Sequence, residues 1–215
     1  QGFPDALMRG EWCGNPVRPS IANISSPEKR FADRAGAVKL LVLGGSRGAL
    51  AINKILPQAL ALIDSSIRPE VMHQTGKLHW EQTQALYSAA GVEAQVVPFI
   101  DKMDEAYGWA DFAICRAGAL TVAELTCAGL GSILIPFPYA IDDHQTVNGK
   151  LLVEQGSATM IQQKELTATM LAAEITKLCN SRSRLLEMAM RARELSKTGA
   201  ASRVANVCME VAREK

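Results

Sequence analysis

Phe112-Ala113-Ile114-Cys115-Arg116-Ala117-Gly118-Ala119-Leu120-Thr121-Val122-Ala123-Glu124 is the stretch on which the reading of this chain turns. Its apolar opening has the character of a strand buried on both faces, and it ends in a small-residue turn. A helix then opens at Ala119 and carries one carboxylate, Glu124, about one turn inside it. Helix-start N–H groups attract a phosphate, and a carboxylate nearby can grip ribose hydroxyls. A local reading competes: Thr121-x-x-Glu124 has the spacing of a capping box, in which Glu124 merely satisfies a backbone N–H. Arg116 has the same ambiguity, since it can pair with Glu124 or another acid, or face a phosphate.

Outward from this stretch, the strand–turn–helix unit recurs. Strands are expected at 38–43, 71–74, 95–97, 112–115, 132–135 and 158–161. Helices are expected at 49–63, 78–90, 103–109, 119–128, 145–155, 166–179, 184–195 and 202–213, with Pro57 a sign that the first is kinked or starts late. In the last, Val204, Val207, Cys208 and Val211 share one face. Short apolar strands alternating with helices imply an α/β fold: a Rossmann-like, doubly wound parallel sheet with helices on both faces. The polar and glycine-rich turns at 44–48, 74–77, 98–102, 116–119 and 136–145 all follow strands. In such a fold they gather along one sheet edge, where ligands bind. Residues 1–36 read as a connector, because Pro4, Pro16, Pro19 and Pro27, with the Gly14-Asn15-Pro16 turn, oppose regular structure. The domain proper is placed at 37–200, followed by a C-terminal helix at 201–215.

Composition narrows the class. The chain has 215 residues, 48% hydrophobic and 21% charged, enough for one good-sized core. A net charge of +1 gives no support for a dedicated nucleic-acid binder. No run approaches about 18 uninterrupted apolar residues, and no secretory signal is visible after Gln1. Cys13, Cys115, Cys127, Cys179 and Cys208 are dispersed with no C-x-x-C pair, which reads as thiols in a reducing compartment rather than a disulfide frame or zinc site. No histidine has metal-ligand spacing to another, so neither a metal nor a cofactor is expected.

Two further turns carry candidate chemistry. Gly44-Gly45-Ser46-Arg47-Gly48-Ala49 lets backbone N–H groups approach an anion, although it is neither a Walker A loop nor a good G-x-G-x-x-G. A plain tight turn explains it as well. Asp142-Asp143-His144-Gln145-Thr146-Val147-Asn148 offers short polar side chains to sugar hydroxyls, unless Asp143 simply caps the following helix. His73 and His79 read as structural.

Taken in order, Gly14-Asn15-Pro16-Val17-Arg18, Gly44 through Ala49, His73-Gln74-Thr75-Gly76-Lys77, Phe99-Ile100-Asp101-Lys102-Met103, Cys115 through Glu124, Asp143-His144-Gln145 with Asn148, and Arg203-Val204-Ala205-Asn206 resemble the C-terminal half of the MurG family. These are bacterial GT-B glycosyltransferases that add N-acetylglucosamine to lipid I, giving lipid II for peptidoglycan. The resemblance implies a donor domain for UDP-N-acetylglucosamine. It implies that the Ile100 backbone meets the uracil and Glu124 the ribose hydroxyls. Ser46 and the Ala119-Leu120-Thr121 helix start would hold the diphosphate. Gln145 and Asn148, with His144, would reach the sugar, and Arg18 would sit near the nucleotide. Ala117 departs from the serine common in the family, and Gly149 from the usual alanine.

The family's general base and its membrane-docking patch belong to an N-terminal domain that nothing in this sequence matches. The chain is therefore expected to hold no catalytic residue, to bind donor without catalysing alone, and to meet lipid I and the inner face of the cell membrane only through that other domain. The C-terminal helix is expected to pack back toward it. The alternative is a stand-alone donor subunit of a bipartite glycosyltransferase with a membrane partner. An NAD-type oxidoreductase is weaker, because Asp64 follows a helix rather than ending the second strand.

Overall fold

The computed structural model describes residues 13–45 and 48–213. In chain order the elements are α1 (Pro19–Ala22), α2 (Pro27–Ala32), β1 (Lys39–Leu43), α3 (Leu50–Ala61), β2 (Glu70–Gln74), α4 (Trp80–Ala89), β3 (Gln95–Val97), α5 (Met103–Trp109) and β4 (Phe112–Cys115). They continue with α6 (Ala119–Ala128), β5 (Gly131–Leu134), α7 (His144–Glu154), β6 (Ala158–Met160), α8 (Ala168–Cys179), α9 (Arg182–Glu194) and α10 (Ala200–Arg213). Short 3-10 turns at Lys77–His79, Ile141–Asp143 and Gln163–Glu165 complete the list.

The six strands form one sheet in the order β3-β2-β1-β4-β5-β6, with every neighbouring pair parallel. Period-2 alternation sorts the side chains onto two faces. Leu40, Val42, Phe112, Ile114 and Ile133 pack with Ile52, Leu56, Leu171, Ile175 and Leu178, which α3 and α8 supply. Leu41, Leu43, Ala113, Cys115 and Leu134 pack on the other side with Ile21, Tyr107, Leu125 and Leu152 from α1, α5, α6 and α7. Both faces are therefore dry. This is why the central strands β1, β4 and β5 read as short, largely apolar runs and why helices must cover each side.

One reading of the proline residues needs correction. Pro19 and Pro27 do not oppose regular structure but open α1 and α2. A first-turn N–H has no intrahelical partner, so proline loses nothing there. Ile21 is then fully buried, and Arg30 donates to the carbonyls of Tyr107, Ala128 and Gly129. The short helices of the connector are thus packed onto the sheet domain. Pro57 lies inside α3, which runs through it to Ala61. Its ring is buried there, and packing offsets the one hydrogen bond that Asn53 O loses.

α10 is amphipathic as expected, but beyond Ala200 all its described residues are exposed, Val204, Val207, Met209 and Val211 among them.

Candidate functional site

The chain leaves β1 toward β2 and β3 on one side, and returns to β4 to build β5 and β6 on the other. Between the carboxyl ends of β1 and β4 the covering loops diverge and leave a crevice. The turn after β1 is shaped by close backbone contact. Gly44 N–H donates to Gln74 O at 2.8 Å, and a Cβ on Gly44 would stand 2.8 Å from that same oxygen. Gly48 has φ +77°, and a Cβ there would lie 2.4 Å from Thr75 O. Only glycine fits such a position. Ser46, expected to hold a phosphate, lies outside the described residues, as does Arg47.

On the β4 side, Gly118 is the extended N-cap of α6 and supplies no side-chain cap. Val122 N–H is the first to bond back, to Gly118 O at 2.9 Å. The opening turn, Ala119-Leu120-Thr121, is therefore open to the solvent side, with Leu120 63% exposed. The far end of α6 is closed. Gly129 adopts φ +63°, and Leu130 N–H reaches back to Leu125 O at 3.0 Å in a Schellman arrangement. Arg30 and Arg193 donate to the terminal carbonyls of Ala128 and Cys127. Cations thus neutralise the negative end of the helix dipole while its positive end faces the crevice.

Glu124 is not part of a capping box, because Thr121 is the third residue of the helix rather than its N-cap. Its carboxylate is held by side chains from elsewhere. Arg18 Nη2 donates to Oε1 at 3.2 Å, and the Tyr107 hydroxyl donates to Oε2 at 3.0 Å. Arg18 is 53% exposed, so the ion pair by itself contributes little stability. Tyr107 is fully buried, and burial with the neighbouring carboxylate raises its pKa far above the usual phenol value. It remains a donor. Tyr107 was not among the sequence candidates, and its only signal was an aromatic hydroxyl in a short helix. Arg18, Gly44, Gly45, Ile100, Tyr107, Thr121 and Glu124 line one open cleft of about 280 Å³.

Arg116 shares that cleft but pairs with no acid among the described residues. It donates to Ile135 O and Pro136 O, each at 3.0 Å, and to Gln163 Oε1, and it lies over the Phe137 ring. Burial lowers its pKa. Arg116 also borders a second, wider cleft of about 640 Å³ with Lys54, Phe137, Gln145 and Gln163. Gln145 Oε1 accepts from Phe137 N–H at 3.0 Å, tying α7 to the loop after β5. Asn148 donates to Ala117 O at 3.1 Å and so braces the β4–α6 turn.

Asp143 occupies the N-cap position of α7 yet makes no capping bond, and its carboxylate takes the Thr146 hydroxyl at 2.7 Å instead. Asp142 and Asp143 are successive left-handed residues, at φ +53° and +50°. His144 is exposed at the first position of α7 and lines neither cleft. Ala119 faces the connector, where its carbonyl accepts from Asn15 Nδ2 at 3.4 Å. The structure thus brings Arg18, Ile100, Thr121 and Glu124 together. It places Gln145 on an adjoining cleft and Asn148 behind the turn.

His73 is structural. It is fully buried between Tyr87 Oη (3.0 Å) and Asn53 Oδ1 (3.1 Å), and burial pushes its pKa down to about 3. Burial also pushes the Cys115 thiol up to about 12, which makes it inert as a nucleophile. Among the described residues no three His, Cys, Asp or Glu side chains stand together as a metal site.

Comparison with known proteins bears on the family and the fold. The chain is 53% identical, over 99% of its length, to a Dechloromonas aromatica protein named UDP-N-acetylglucosamine–N-acetylmuramyl-(pentapeptide) pyrophosphoryl-undecaprenol N-acetylglucosamine transferase. It is 53% identical over 98% of its length to the Nitrosococcus oceani protein of the same name. It spans only 59% and 58% of those relatives' lengths. The crystal structure of Acinetobacter baumannii MurG superposes with a TM-score of 0.85 at 36% identity, over 97% of this chain and 58% of that one. Residues 39–204 match the glycosyltransferase family 28 C-terminal domain, and at this extent the match shows that the chain belongs to that family.

Proposed function

We propose that this chain is the donor-binding half of an N-acetylglucosaminyltransferase that moves the sugar from UDP-N-acetylglucosamine to lipid I, giving lipid II. The observation that carries the reading is Glu124. Its carboxylate stands in the cleft at the topological switch point, oriented by Arg18 and Tyr107, on the same helix whose uncapped start faces that crevice. A ribose diol on Glu124 then leaves the diphosphate beside the N–H groups of Ala119, Leu120 and Thr121, and the uracil beside Ile100. The sugar falls toward Gln145 and the second cleft, with Asn148 fixing the turn beneath it and His144 at the rim.

In this mechanism the chain contributes leaving-group stabilisation. The positive end of α6 offsets charge developing on the departing UDP, without a metal. The acids lining the first cleft are Glu124, committed to two donors, and Asp101. The base that takes the proton of the attacking hydroxyl is assigned, as the family resemblance implies, to a second domain outside this chain. That domain also meets lipid I and the inner face of the membrane, and the apolar face of α10 packs back toward it. Among the described residues no helix is long and apolar enough to cross a membrane.

Calorimetry tests the proposal. UDP-N-acetylglucosamine binds in preference to UDP-glucose, and Glu124→Ala weakens it at least tenfold with the circular dichroism spectrum unchanged. Equal affinity of Glu124→Ala and the unaltered chain refutes the assignment.

A further inference from the structure

A carboxylate has roughly four lone-pair sites on two oxygens. In Glu124 one site on Oε1 is used by Arg18 and one on Oε2 by Tyr107. Each oxygen is left with one acceptor position, and the two donors fix the plane in which those positions lie. Adjacent hydroxyls on a five-membered ring present two donors side by side. A pinned carboxylate meets them as a pair, whereas a free one must first give up rotamer freedom.

Tyr107 is the stiffer of the two supports. Arg18 is half-exposed on a long side chain, but Tyr107 has no exposed surface. Its ring is packed into the core beside Leu125 and Cys115, and its own carbonyl is held by Arg30 at 3.0 Å. It also sits on α5, which begins at Met103, directly after the Ile100-Asp101 loop on the same cleft. The loop assigned to the base and the carboxylate assigned to the ribose are thus joined by less than two turns of helix.

We infer that Tyr107 is a positioning residue: its hydroxyl sets the carboxylate plane of Glu124 so that the site selects a vicinal diol. The inference rests on Glu124 being the ribose ligand. It makes the preference for ribose over deoxyribose depend on a side chain buried behind the cleft.

The test measures UDP and 2′,3′-dideoxy-UDP against the 215-residue chain and its Tyr107→Phe, Glu124→Gln and double variants, with the unfolding midpoint of each. Tyr107→Phe should weaken UDP by about tenfold, the usual scale for a hydrogen bond to a charged group, and leave the dideoxy compound unchanged. Glu124→Gln should abolish the preference, and the double variant should add nothing further. Full preference in a folded Tyr107→Phe, or equal weakening of both ligands, overturns the positioning role. Preference retained by Glu124→Gln overturns the ribose assignment itself. Should Tyr107→Phe not fold, the Tyr107 hydroxyl proton resonance in the unaltered chain decides. It moves with UDP and not with the dideoxy compound if the inference holds, and moves equally with both if it does not.

Discussion

The turn after β1 permits a three-way substitution in which backbone strain and steric contact separate. Gly45 has φ +72° with nothing among the described residues within 4 Å of a would-be Cβ, so against them Gly45→Ala meets strain alone. Gly44 has an ordinary φ, but its Cβ would sit 2.8 Å from Gln74 O and 3.1 Å from Ala49 N, so Gly44→Ala meets contact alone. Gly48 has both, with φ +77°, Thr75 O at 2.4 Å and the His79 ring at 2.6 Å. A left-handed alanine costs about 1–2 kcal/mol, and forced overpacking typically about 1–3 kcal/mol. Gly45→Ala should therefore lose about 1 kcal/mol and Gly44→Ala about 2 kcal/mol. Gly48→Ala should lose about 3 kcal/mol or more, because β2 backbone cannot retreat without breaking the Gly44–Gln74 bond. Urea unfolding followed by circular dichroism measures each loss, and calorimetry with UDP reports the turn itself. UDP affinity should fall most for Gly48→Ala. Equal stability of Gly45→Ala and Gly48→Ala would refute the steric argument and show that the turn moves freely.

Two further predictions concern buried polar groups of the core. Asp111 is fully buried at the start of β4, with Arg34 Nε at 3.0 Å, Arg182 Nη1 at 3.8 Å, and a hydrogen bond from Lys39 N–H at 2.9 Å. Asp111→Ala strands Arg34, and should cost about 3–5 kcal/mol in urea unfolding while UDP affinity holds; a loss below about 1 kcal/mol would count against the pairing. His73, at a folded pKa of about 3 and an unfolded value near 6.5, binds a proton only when the chain unfolds. Its contribution is complete above pH 6.5 and is lost as pH falls toward 3, by up to about 1.4 kcal/mol per pH unit, and His73→Gln should flatten that slope of the urea midpoint.

Most of the sheet was legible in the sequence because its central strands β1, β4 and β5 are covered on both faces and so read as short apolar runs such as Val38 to Leu43. The resemblance to a known family rested on the same turns. Pro19 and Pro27 were misread, since the same residue that breaks a helix interior is neutral in its first turn, and only the backbone path shows which applies. Arg116 was open between an acid and a phosphate, but is held by the carbonyls of Ile135 and Pro136, which a sequence does not place.

Glu124 shows where the division falls. Its place one turn into a helix after a buried strand follows from local pattern, because helix and strand periods are properties of neighbouring residues. What it does there depends on Arg18, 106 positions away, and on Tyr107, 17 positions away. The capping box and the ligand carboxylate have the same sequence spacing. They differ only in where the helix begins and in which side chains other elements bring to it. Hydrogen bonds between distant elements form only after strand order and helix packing are set, so the tertiary structure alone decides between them.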